Sequence, residues 1–167
     1  ARVRADPVGQ AIGRTGWGCA AHAGHPASQG GQSTRAMSAV LVDTSVWIGH
    51  FRRANPALQS LLANDRVLCH PLVVLELACG TPPAPRERTL GDLRMLRQAR
   101  VATTDEVLSL IETRKLYDTG CGAVDAALPA SVLLTPDAQL WTADRDLEAL
   151  AVRLDVAFEV PEAPTRG

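Results

Sequence analysis

Four acidic residues stand where acids are costly. Asp43 follows directly on Val40, Leu41 and Val42, and Asp144 comes just past Leu140 and Trp141. Glu76 is the sole charge between Pro71 and Gly80, and Asp125 the sole charge between Thr119 and Asp137. Acids in apolar surroundings are rare unless paired or bound to a cation. Clustered carboxylates repel one another by about 4 kcal/mol per pair at ~4 Å and an effective dielectric near 20, so a divalent cation is the natural counterweight. Oxygen-only ligation selects Mg²⁺ or Mn²⁺, which keep several waters and leave room for a phosphate oxygen. Such a centre can activate a water and polarise a phosphodiester. Each acid also has a plainer role open to it. Asp43, Asp125 and Asp144 could each cap the helix that follows, and Glu76 could pair with an arginine. Four such coincidences in one domain are less economical than one shared site.

The elements that must carry these residues alternate between short apolar strands and amphipathic helices. A strand at Val40–Val42 leads into a helix through Val46, Trp47 and Phe51. Asn55-Pro56 opens a second helix with Leu58, Leu61 and Leu62. Arg66 to Cys69 reads as a strand, and the helix from Pro71 ends at Gly80. The proline-rich stretch from Thr81 to Pro85 is a turn, after which Leu90, Leu93 and Leu96 keep helical spacing. A weak strand is expected over Arg100 to Ala102. The pair Thr103 and Glu106 forms a capping box for a helix through Leu108, Ile111 and Leu116. Ala123 to Leu134 reads as a central helix that Pro129 should kink. A strand at Leu140–Thr142, a helix at Leu147–Leu154 and a last strand at Val156–Val160 complete the pattern. Strands separated by helices imply a mostly parallel sheet flanked by helices, an α/β fold. Its ligand site belongs beyond the carboxyl ends of the strands.

Composition narrows the class. At 167 residues and 46% hydrophobic, the chain suits one ordinary domain with an adequate core. No apolar run reaches the ~18 residues of a membrane span, and a cytoplasmic protein without a membrane partner is expected. Cys19, Cys69, Cys79 and Cys121 form no CxxC pair and read as small hydrophobes. Residues 1–36 carry a net charge of +3 and lack periodicity, so they are expected to be a disordered extension. Cys19, His22 and His25 there lack a fourth ligand, so their metal-like spacing is taken as accidental. Residues 37–167 carry −4 and form the expected domain. A bulk polyanion binder is usually basic. Any nucleic acid must therefore be held by the metal and by local arginines: Arg52, Arg53, Arg145, and the group Arg86, Arg88, Arg94, Arg97 and Arg100. The last group reads better as solvated surface. Trp47 and Trp141 read as core, and His50 and His70 as weak catalytic candidates.

Order and spacing of the motifs give the chain a resemblance. Leu41-Val42-Asp43-Thr44-Ser45-Val46-Trp47, Glu76-Leu77 with Gly80, Gly122-Ala123-Val124-Asp125-Ala126 and Leu140-Trp141-Thr142-Ala143-Asp144 together resemble a PIN domain of the VapC toxin type. The resemblance covers 37–160 and implies a three-layer α/β fold and Mg²⁺- or Mn²⁺-dependent endoribonuclease activity. It makes Asp43, Glu76, Asp125 and Asp144 the catalytic and metal-binding acids, with Thr44 or Ser45 and Thr142 as supporting donors. It also implies an RNA substrate, a cognate antitoxin of the VapB type and a homodimer, with apolar residues of the first two helices as a docking surface. Pro129 and Asp146 depart from the usual pattern. Asp146 either adds a fifth acid or begins its helix on the solvent side, and the second is favoured. Two alternatives keep the fold: a catalytically silent binding module, and a different PIN-type RNA-processing nuclease. A dehalogenase-type phosphatase would need an acid where Ser45 stands, and a receiver domain a better-placed lysine than Lys115.

Overall fold

The computed structural model describes residues 38–117 and 120–160. The expected extension at 1–36 and the Cys19, His22 and His25 group lie outside those residues. Four short strands, β1 (Ala39–Val42), β2 (Val67–Cys69), β3 (Arg97–Gln98) and β4 (Ala138–Trp141), form one sheet in the order β3-β2-β1-β4. Every pairing is parallel, with Leu41 opposite both Leu68 and Leu140. All residues of β1 and β2 are buried, whichever face they point to. Burial on both faces means helices cover the sheet above and below, which is the three-layer α/β arrangement.

Seven helices among the described residues provide that cover: α1 (Thr44–Arg52), α2 (Pro56–Ala63), α3 (Pro71–Cys79), α4 (Arg86–Met95), α5 (Thr104–Arg114), α6 (Ala123–Leu134) and α7 (Arg145–Arg153). Their starts follow local chemistry. The Asn55 side chain accepts from the amides of Ala57 and Leu58 with Pro56 in the first turn, and Thr103 and Glu106 close the capping box. Gly80 ends α3 without a left-handed turn. Arg86 instead donates to the carbonyl oxygens of Gly80 (3.0 Å) and Ala78, satisfying the helix end from outside.

Several sequence expectations need correction. The third strand lies at Arg97–Gln98, not Arg100–Ala102, because hydroxyls of α6 and its end take the later amides. Arg100 donates to Thr135 Oγ1 (2.9 Å) and Ala102 to Ser131 Oγ (3.0 Å). Helix α5 stops at Arg114, where Lys115 turns left-handed at φ 52°, and Leu116 is buried beyond the helix. As expected, α6 continues past Pro129 to Leu134, and residues Ala126 to Val132 are buried. The last strand shrinks to a single bridge between Leu140 and Ala157. The expected docking residues Val46, Trp47, Leu58 and Leu61 are core, at 5% exposure or less, since α1 and α2 turn their apolar faces inward. No helix among the described residues is long and apolar enough to cross a membrane.

Two buried histidines hold backbone rather than substrate. His70 Nδ1 accepts from the Leu72 amide (3.1 Å) while Nε2 meets Ser131 Oγ (3.1 Å), and His50 Nδ1 accepts from the Asn55 amide (3.0 Å). Burial lowers the pKa of both below the ordinary 6.5. The unfolded chain therefore takes up protons near that pH that the folded chain refuses, so stability is full above pH 6.5 and falls as pH drops toward the folded values. Urea unfolding at pH 7.5 and pH 5.5 should show this loss. His70→Asn, which keeps a capping oxygen but cannot titrate, should lessen it; an unchanged pH dependence would remove His70 from the account.

Candidate active site

Strand order places the site. From β1 the chain steps outward to β2 and β3 on one side, then returns to β4 on the other. The crevice at the carboxyl ends of β1 and β4 is thus the point where the winding reverses, the usual ligand address in open parallel sheets. Asp43 leaves β1 there and Asp144 lies three residues beyond the end of β4. The Asp43 amide still donates to the Trp141 carbonyl oxygen (2.9 Å), which keeps the two strand ends side by side.

Asp43 is buried at 6% exposure and starts α1 as its N-cap. Its Oδ2 accepts from the Ser45 amide (3.1 Å), from Ser45 Oγ (2.6 Å) and from Thr142 Oγ1 (2.9 Å). Each hydroxyl is aimed by a second bond. Ser45 Oγ accepts from the Ala143 amide (2.9 Å), and Thr142 Oγ1 accepts from the Asp144 amide (3.0 Å). With those lone pairs engaged, both protons are free to point at Asp43. The carboxylate oxygen is thereby satisfied by protein donors where water is excluded.

The other three acids are less enclosed. Asp144 is exposed and caps α7, with Oδ1 accepting from the amides of Asp146 (2.9 Å) and Leu147 (3.1 Å). Glu76 is exposed, and its Oε2 accepts a 2.6 Å bond from Thr44 Oγ1 rather than pairing with an arginine. Asp125 is half-buried and its Oδ2 accepts from the Gly122 amide (3.0 Å) in the first turn of α6. Pro129 lacks the N–H that would reach the Asp125 carbonyl four residues back. Thr142 and Ser45 thus join Asp43 to the Asp144 segment, and Thr44 joins the start of α1 to Glu76. Asp125 is tied to its own helix start, and it lines a cleft of about 210 Å³ together with Asp146 and Arg153.

The capping roles that local sequence allowed are therefore real for three of the four acids. A cation also suits the donor set. Among the described residues none of the four acids takes part in an ion pair, so the buried Asp43 charge has hydroxyls but no cation opposite it. Among the same residues no three His, Cys, Asp or Glu side chains stand close enough to share one ion. An ion would be gathered by exchanging present hydrogen bonds, not dropped into a finished cage.

The arginines divide. Arg52, Arg53 and Arg145 are exposed near the starts or ends of α1 and α7. Arg88 and Arg100 pair with Asp92 (3.9 Å) and Glu106 (3.6 Å), while Arg86 and Arg97 bond backbone oxygens. Sequence reasoning missed Arg153 and Cys121, because α7 offers only an ordinary charged face until α6 is folded beside it. Burial pushes the Cys121 thiol pKa up, and the Asp125 charge adds to the rise.

The parallel sheet with an acid after each of the adjoining strands β1 and β4 defines a recognisable class. The profile of the PIN domain matches residues 40–153, and the chain belongs to the PIN-domain family. It is similar to "Ribonuclease VapC32" of Mycobacterium tuberculosis strain CDC 1551 / Oshkosh, 48% identical over 119 residues that cover 71% of this chain and 95% of the relative. Identity and coverage are the same for "Ribonuclease VapC32" of strain ATCC 25618 / H37Rv.

The hydroxyl clamp on Asp43 yields a stability prediction. Thr142→Val removes a donor from a buried carboxylate and should cost ~1–3 kcal/mol. Thr142→Ser should recover most of it, because the hydroxyl returns. Urea unfolding of the three proteins checks this, and equal stability of parent and Thr142→Val would mean the clamp carries no weight.

Proposed function

We propose that this chain is an endoribonuclease, the toxic half of a toxin–antitoxin pair, which hydrolyses RNA phosphodiester bonds with Mg²⁺ or Mn²⁺. The observation that carries the reading is Asp43, a buried carboxylate clamped by two hydroxyls at the switch point of the sheet. The 48% identity to ribonucleases over nearly their whole length supports the same chemistry.

In this reading Asp43, Glu76, Asp125 and Asp144 hold the cation. When bound, the metal neutralises the carboxylates, polarises the phosphodiester and acidifies water. The chain's own contribution is positional. Ser45 and Thr142 fix the angle of Asp43, Thr44 keeps Glu76 beside the start of α1, and the α7 cap holds Asp144 at the β4 side. Supporting donors of this kind orient metal ligands. Exposed Arg52, Arg53 and Arg145 supply phosphate contacts that position the strand without reading it. A cognate antitoxin of the VapB type as inhibitor, a homodimeric state and a cytoplasmic location go with this reading.

The test is cleavage of total RNA by the purified chain with Mg²⁺, Mn²⁺ or EDTA. Cutting is expected with either ion and not with EDTA. Asp125→Asn should lower the rate by a hundredfold or more, as expected when a ligand oxygen is lost. Parental rates in EDTA, or in Asp125→Asn, would overturn the four-carboxylate site. Absence of cleavage in every ion would favour a silent binding module.

A further inference from the structure

We infer that the cleft beside Asp125 is a base subsite that receives a single-stranded guanine of the RNA, read by Arg153 and Asp146. The inference rests on the nuclease reading and extends it to substrate selection. The cleft lies between the start of α6 and the face of α7 and holds about 210 Å³. Leu147, Leu150 and Cys121 line it beside Asp125, Asp146 and Arg153. Pockets for whole small molecules run from ~300 to 1,000 Å³, so this space suits one flat ring system. Apolar walls with a few polar groups are what a heteroaromatic ring needs. Sequence-selective RNA recognition works on splayed single-stranded bases, read along their hydrogen-bonding edges.

The guanidinium is held from behind. Arg153 Nη2 donates to the carbonyl oxygens of Arg114 (2.6 Å) and Lys115 (3.4 Å), at the left-handed end of α5. A guanidinium already anchored loses less freedom when it meets a base. Asp146 sits in the first turn of α7, its amide bound to Asp144 Oδ1 (2.9 Å) and its side chain exposed. The guanidinium only donates and the carboxylate only accepts. Guanine alone among the four bases presents two adjacent N–H donors on one edge, with O6 and N7 as acceptors on the next. An arginine donating to O6 and N7 is a favoured guanine contact, and the two adjacent donors match a carboxylate. Asp146 thereby has a use distinct from metal ligation. Because Asp125 lines the same cleft, the selected base adjoins the bond to be cut.

Two measurements test this. Random-sequence RNA cut with Mn²⁺ and sequenced at its ends should show guanine at one position adjoining the cut, favoured roughly tenfold. Arg153→Lys, which keeps the charge but loses the planar fork, and Asp146→Asn should each erase that preference. Separately, the metal-free protein is titrated with guanosine, inosine and adenosine monophosphates while amide resonances of α6 and α7 are followed. Guanosine monophosphate should bind tightest, and inosine, which lacks the second donor, should lose affinity. A preference that survives both substitutions, or equal affinity for the three nucleotides, overturns the subsite. Guanine-selective binding without cleavage in any ion keeps the subsite and removes the nuclease reading. Cleavage with no base preference does the reverse.

Discussion

A carboxylate out of water must be compensated, and the arrangement around Asp43 follows from that requirement. β1 is buried on both faces, so the side chain of Asp43 directly after it emerges into protein. The compensation is local in sequence on one side, through Ser45, and distant on the other, through Thr142, which lies 99 residues away. The hydrogen bonds that satisfy Asp43 thus also tie β1 to β4. Because Asp144 donates its amide to the same threonine, the two acids at the strand ends are set by one small network. Satisfying the buried Asp43 oxygen needs that network, and the network needs the parallel pairing of the two strands.

The same economy runs through the other acids. Asp43 and Asp144 cap helices, and Asp125 closes the start of α6. Helix N-termini carry partial positive charge and favour anions. The fold therefore offers three carboxylates a modest favourable site each, two of them beyond the carboxyl ends of β1 and β4. Such acids tolerate the absence of a metal better than bare, mutually repelling carboxylates would. Of the four acids only Asp43 is buried, while Glu76 and Asp144 are exposed, so water screens much of their mutual repulsion.

Much of the architecture was legible because its signals are local. Asn55-Pro56, the Thr103 and Glu106 box and the apolar run into Asp43 each fix a boundary within a few residues. What stayed hidden depended on partners remote in sequence. Nothing near Arg100 announces that hydroxyls of Thr135 and Ser131 will claim its segment's amides, so a strand was expected three residues too late. The apolar faces of α1 and α2 suggested a docking surface, since periodicity gives the face but not what covers it. The acids themselves stood out as lone charges in apolar runs. Thr44 and Ser45 gained distinct roles only in three dimensions, one on Glu76 and one on Asp43. Arg153 gave no signal at all until α5, α6 and α7 were assembled around it.

Asp43 caps α1, and on the proposed reading it is also a ligand of a divalent ion bound only by the folded chain. Thermal melting of the parent and Asp43→Asn, with and without Mn²⁺, addresses both roles at once. A site filled at a hundredfold excess over Kd adds about 2.7 kcal/mol to the folded state. The parent should therefore melt several degrees higher with Mn²⁺. Asp43→Asn, which keeps a capping oxygen but loses the charge, should melt near the metal-free parent and respond little to the ion. An equal rise in both proteins, or no rise in the parent, would contradict the account and leave Asp43 a helix cap alone.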